Sequence, residues 1–119
     1  MKILNAKLHG IIDYLVVIFL MLAPTLFGLS DFISKFTFLL GAVHLALTAL
    51  TNFRYGLFKI IPFKAHGVIE LIVAIVLMAS PLILGSYTET SLDKFFLAGF
   101  GVAVLITWAI TDYSTSGTN

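Results

Sequence analysis

The chain has 119 residues and a formal net charge of +1, with 60% hydrophobic and 11% charged residues and a mean hydropathy of +1.08. Soluble domains carry about 25% charged and about 45–50% apolar residues, and one of this size buries too little surface to hide so much apolar side chain. The composition excludes a soluble enzyme, a disordered tail and a nucleic-acid-binding module. The lack of cysteine excludes a disulfide scaffold, a thiolate metal site and a cysteine nucleophile.

Four apolar stretches follow one another, at about residues 9–28, 32–53, 65–85 and 94–110. Each is near the roughly 20 residues that cross a hydrocarbon core of about 30 Å as a helix. Continuous runs such as Tyr14–Leu22 lack the alternation of a barrel strand, and helices satisfy every backbone polar group within the segment. The first stretch is too long for a signal peptide, retains Asp13 and is followed by no small-residue cleavage site. Lys2, Lys7, Arg54, Lys59 and Lys64 fall on one side of the spans, and only Lys35 and Lys94 on the other. The positive-inside bias then predicts cytoplasmic N- and C-termini and, in a bacterium, the inner membrane. The connector at residues 54–64 interleaves aromatic and basic side chains, as a segment lying at the headgroup level does. The tail from Ser114 to Asn119 is small and polar, the composition of a frayed end.

Self-comparison adds an internal duplication. Residues 9–28 align without gaps on residues 66–85, with nine of the twenty pairs identical and Asp13 opposite Glu70. His9-Gly10 matches His66-Gly67, Pro24 matches Pro81, and Gly28 matches Gly85. The second arms match more loosely, through Phe38-Leu39-x-Gly41 with Phe96-Leu97-x-Gly99 and Thr51-Asn52-Phe53 with Thr111-Asp112-Tyr113. The expected fold is an all-α membrane protein: a single domain of four transmembrane helices, formed as two tandem hairpins at about residues 8–56 and 65–113. Each repeat holds two spans, so the repeats are parallel, unlike the inverted repeats of many carriers. His9 and His66 then share a depth near the cytoplasmic surface. Asp13 and Glu70 lie one turn deeper on the same helix faces.

A hairpin repeated twice, with Ala23-Pro24-Thr25 and Ser80-Pro81-Leu82 near the outer end of each odd span, resembles the SPW-repeat membrane proteins. The His-Gly-x-Ile-Asp/Glu opening and the Thr111-Asp112-Tyr113 close are similar too, while Thr25 and Leu82 stand where that family carries its name-giving tryptophan. The resemblance implies a small bacterial membrane protein with the four-span duplicated fold, and it supplies no chemistry.

Ionisable side chains within a membrane are costly and point to function. His9, Asp13, His66 and Glu70 form a candidate ion or proton site. If spans one and three touch, two imidazoles and two carboxylates converge, a set suited to zinc, manganese or iron or to relaying protons. The plainer reading pairs each histidine with the acid one turn on, near a helix start that favours a carboxylate. His44 lies on span two alone and is expected to pair with a polar neighbour such as Thr48, one turn on. Pro24 and Pro81 are expected to end or kink the odd helices, with Gly28 and Gly85 as stops. Gly41 and Gly99 are expected to allow close packing within each hairpin.

The chain offers almost no extramembrane mass for an active site, and no Ser-His-Asp order, phosphate loop or zinc-protease helix. The leading expectation is therefore a non-enzymatic membrane protein without a cofactor. Its partners would be the lipid bilayer and either further copies of itself or a membrane protein to which it is an accessory subunit, with no nucleic acid. The alternative is a small channel, proton-linked carrier or metal-binding protein using the duplicated His/acid pairs. A redox subunit relying on His44 with His9 or His66 is a third possibility.

Overall fold

In a computed structural model, described here for residues 2–114, α1 spans Ala6–Phe27, α2 Asp31–Leu50, α3 Phe63–Leu84 and α4 Ser91–Ile110. A single 3-10 turn, Gly85–Tyr87, separates α3 from α4. All four helices are long and apolar enough to cross a membrane. The polar tail expected to fray lies, beyond Ser114, outside the described residues.

Local chemistry sets the helix ends. Asn5 accepts from the Leu8 N–H at 2.9 Å and starts α1 three residues before His9. Thr90 and Asp93 form a capping box that starts α4 at Ser91 rather than near Lys94. The odd helices run past their prolines: α1 continues from Pro24 to Phe27, and α3 from Pro81 to Leu84. The stops fall on the glycines. Gly28, at φ 60°, donates its N–H to the Pro24 carbonyl, a left-handed cap that a side chain would disfavour.

α1 packs along α2 and α3 along α4, giving two helical hairpins. Gly41 of α2 meets Leu20 and Met21 of α1, where an added Cβ would lie 2.6 Å from the Met21 methyl. In the second hairpin the close contact is made by Gly101: a Cβ there would lie 2.8 Å from the Met78 backbone nitrogen. The expectation for Gly99 is corrected accordingly. Its Cβ position meets nothing within 4 Å among the described residues, because two residues on a helix are about 200° apart. Gly99 lines an apolar groove with Phe19 and Phe96 instead.

The two hairpins are joined at both ends. At one end Asp93, fully buried, accepts from the Ser30 N–H at 2.9 Å as well as from Glu89 and Thr90. At the other end the chain exchanges short extended segments. The Ile3 and Leu4 N–H groups donate to the Ile110 carbonyl at 2.8 and 2.9 Å, and Asp112 N–H donates back to Leu4. In the same way Ile60 and Ile61 donate to the Leu50 carbonyl, and Asn52 donates to Ile61. These pairings form parallel bridges, Leu4 with Thr111 and Thr51 with Ile61. They explain why α2 stops at Leu50 instead of reaching Phe53. They also bring the starts of α1 and α3 and the ends of α2 and α4 to one end of the bundle.

The connector divides. Leu57, Phe58 and Ile60 are exposed, as an interfacial segment requires, but Phe63 is buried against Ala6 and Phe53. An added Cβ on Gly10 would collide with the Phe53 ring, and one on Gly67 with the Tyr113 ring, so each His-Gly pair admits an aromatic lid. The outer surface is apolar, and the buried polar groups share the interior with an apolar core around Leu20, Ile33, Leu77 and Leu97. Leu82 is 89% exposed and Phe95 74%, whereas His9 and His66 are 0% and Asp13 2% exposed. Water-soluble proteins show the opposite bias, and the arrangement is consistent with a membrane protein.

Candidate metal centre

His9 and Asp13 lie one turn apart on α1, and His66 and Glu70 lie one turn apart on α3. The structure brings all four together: one ligating atom from each lies within 4.8 Å of the others. His9 Nε2 is 3.2 Å from Asp13 Oδ1 and 3.0 Å from Glu70 Oε2. His66 Nε2 is 3.0 Å from Asp13 Oδ2 and 3.1 Å from Glu70 Oε1. The pairing is therefore both within and across the hairpins, and the imidazole rings meet edge to face with centroids 5.4 Å apart.

Two threonines orient these imidazoles. Thr111 donates its hydroxyl hydrogen to the Thr107 carbonyl at 2.6 Å, so its oxygen accepts from His9 Nδ1 at 2.8 Å. Thr51 donates to the Leu47 carbonyl at 2.6 Å and accepts from His66 Nδ1 at 2.7 Å. A hydroxyl has one hydrogen to give, so this network places a ring hydrogen on Nδ1 of both histidines. Both Nε2 atoms are left facing the carboxylates. Fixing one imidazole nitrogen so that the other points at a common centre is the support that ligating histidines have.

Further residues complete the site, and sequence reasoning did not assign them to it. Tyr113 donates to Glu70 Oε2 at 2.7 Å; burial and the Glu70 charge push its phenol up, so it stays a donor. His44 of α2 places Nε2 3.4 Å from Asp13 Oδ1. The expected side-chain partnership with Thr48 does not form, because the Thr48 hydroxyl donates to the His44 backbone carbonyl at 2.9 Å. The matched Thr51/Thr111 and Phe53/Tyr113 pairs carried a signal in the sequence. What linked them to the histidines was the cross-over of the extended segments, which no pattern reveals.

Among the described residues Asp13 Oδ2 and His44 Nε2 make no well-formed hydrogen bond, but each faces an ionisable neighbour: Asp13 Oδ2 lies 3.0 Å from His66 Nε2, and His44 Nε2 3.4 Å from Asp13 Oδ1. A cavity of about 50 Å³ adjoins both residues, lined also by Glu70 and Thr107, with Phe100 and Val104 as apolar walls. A second cavity, of about 30 Å³, shares His44 and Glu70.

The candidate centre is thus a two-histidine, two-carboxylate cluster enclosed by four helices and capped by aromatic rings. Comparison of the chain with family models, with curated proteins and with solved structures finds no match.

Proposed function

We propose that this is a small multi-pass membrane protein whose two hairpins close around a divalent-cation site held by His9, Asp13, His66 and Glu70. The observation that carries the reading is the convergence of four ligating atoms within 4.8 Å, with both Nδ1 positions occupied by threonine hydroxyls. Each imidazole Nε2 lies 3.0–3.2 Å from one oxygen of both carboxylates. Two carboxylates balance one divalent charge, which suits a low-dielectric interior where net charge is costly. Mixed imidazole and carboxylate donors suit zinc, manganese or iron.

A second reading makes the cluster a clasp between the hairpins of a protein that acts by association, with copies of itself or as an accessory subunit. Its support is the mutual pairing of buried groups in the absence of any need for an ion. We further propose that the hairpins are tandem copies of one unit, as the SPW-repeat resemblance implies. The matched His–Thr contacts, extended segments and packing glycines support this, with Gly41 corresponding to Gly101. The five basic residues Lys2, Lys7, Arg54, Lys59 and Lys64 at one end support a bacterial inner-membrane location with that end cytoplasmic.

Metal analysis of detergent-purified protein, with zinc and manganese titrations, tests the cation reading. One divalent ion per chain is expected, lost in the Asp13→Asn/Glu70→Gln double variant. A wild-type protein that takes up no divalent ion favours the clasp.

A further inference from the structure

Resting on the membrane-spanning reading alone and independent of the metal centre, we propose that α1 and the connector form a binding site for one anionic phospholipid. One acyl chain lies in a groove of about 500 Å³ lined by Ile11, Tyr14, Leu15, Ile18, Tyr55 and Leu57. The phosphate is held between Lys7 and Arg54. Ile11 to Ile18 covers about 10 Å of helix, enough for the upper part of a chain in one leaflet of a hydrocarbon core about 30 Å thick.

Hydrogen bonds fix the walls of the groove. The Tyr14 hydroxyl donates to the Tyr55 carbonyl at 2.7 Å, and the Leu57 and Phe58 N–H groups donate to the Ala49 carbonyl at 2.7 and 3.1 Å, which holds the connector to α1 and α2. Lys7 stands one turn before Ile11 on the same helix face and Arg54 adjoins Tyr55, so both basic residues belong to the headgroup end. Charge selects the occupant. Lys7, Arg54, Lys59 and Lys64 are exposed and form no ion pair among the described residues, whereas Lys35 is paired with Asp31 at 3.0 Å. An uncompensated basic cluster above an apolar groove matches an anionic headgroup and its chain, and it repels the same face of a second copy. The duplication supplies an internal control. Lys64 matches Lys7 and Ile75 matches Ile18, but Leu71 stands in the place of Tyr14 and has no hydroxyl to hold a connector.

The test reads tryptophan quenching by dibrominated lipids in bilayers holding the full-length chain. Trp108, the sole tryptophan, is replaced by Phe, and a reporter is introduced as Ile18→Trp or, for reference, Ile75→Trp, both at exposed positions. At Ile18→Trp, dibrominated phosphatidylglycerol is expected to compete about tenfold or more better than dibrominated phosphatidylcholine, at about fivefold per basic residue near the surface. At Ile75→Trp the preference should be smaller by about fivefold. Lys7→Gln/Arg54→Gln should bring the Ile18→Trp reporter to within about twofold of parity, and Lys35→Gln should leave it unchanged. Equal preference at both reporters overturns the groove site in favour of a diffuse surface field. Equal quenching by the two lipids overturns the anionic headgroup. An Ile18→Trp reporter that neither lipid quenches assigns the groove to a second copy and overturns the proposal. Protein recovered in water without lipid or detergent overturns the membrane-spanning reading and this proposal together.

Discussion

Glu70 and Asp13 face each other from α3 and α1, each one turn beyond a histidine, yet their surroundings differ. Glu70 accepts from Tyr113 at 2.7 Å in addition to its contacts with His9 and His66. At the corresponding place beside α1 stands Phe53, which packs on Gly10 as Tyr113 packs on Gly67 but has no hydroxyl to offer. Asp13 instead has His44 nearby, in addition to its contacts with His9 and His66. The matched contacts, His9 to Thr111 and His66 to Thr51, build the frame. The mismatched ones give Glu70 a phenol hydroxyl and Asp13 a third imidazole. A near-symmetric scaffold thus carries an asymmetric filling.

This contrast is open to measurement. The largest effect is expected from removing a carboxylate, since the buried imidazoles then lose their partner: Glu70→Ala and Asp13→Ala should each cost about 3–5 kcal/mol in unfolding from detergent. Glu70→Ala should be the worse of the two because it also strands the Tyr113 hydroxyl. A larger loss for Asp13→Ala would show that its third imidazole, His44, counts for more than the Tyr113 phenol does at Glu70. Next come the threonines. Thr51→Val and Thr111→Val should each lower cation affinity by about 10–100-fold, to similar extents, and an effect confined to one of them would show that the frame is less symmetric than its distances.

Helix packing gives a smaller pair of effects. Gly101→Ala drives a Cβ against the Met78 backbone and should cost about 1–3 kcal/mol. Gly41→Ala meets only the mobile Met21 methyl and should cost less. Gly99→Ala meets nothing and should stabilise α4 by about 0.5–1 kcal/mol, so a loss of thermal stability there would contradict the register of Gly101. Tyr113→Phe should cost about 1.5–3 kcal/mol, the net worth of one hydrogen bond to a charged group. If that variant matches wild type in melting temperature, the phenol contributes nothing to Glu70 and the two sides of the site are alike.

Much of the architecture could be read from the chain. The four spans follow from length and hydropathy, because a backbone in hydrocarbon must satisfy its own hydrogen bonds. The acids and histidines stand out for the same reason: a polar side chain is conspicuous where its solvation is expensive. The helix stops at Gly28 and Gly85 were legible from local backbone chemistry. The end of α2 was not, since Leu50 is followed by a residue drawn out to pair with Ile61, ten positions further on.

The amino-acid order by itself determined which groups must be buried together, because one-turn spacing fixes His9 with Asp13 and His66 with Glu70 on their own helices. Only the tertiary structure decided that these pairs meet each other, that Thr51 and Thr111 reach across to orient them, and that Gly101 rather than Gly99 packs the second hairpin. The physical reason is one of range. Helix formation and capping are settled within a few residues, whereas the meeting of α1 with α3 depends on extended segments bonding to the ends of the opposite helices, a long-range pairing with no local periodicity to betray it.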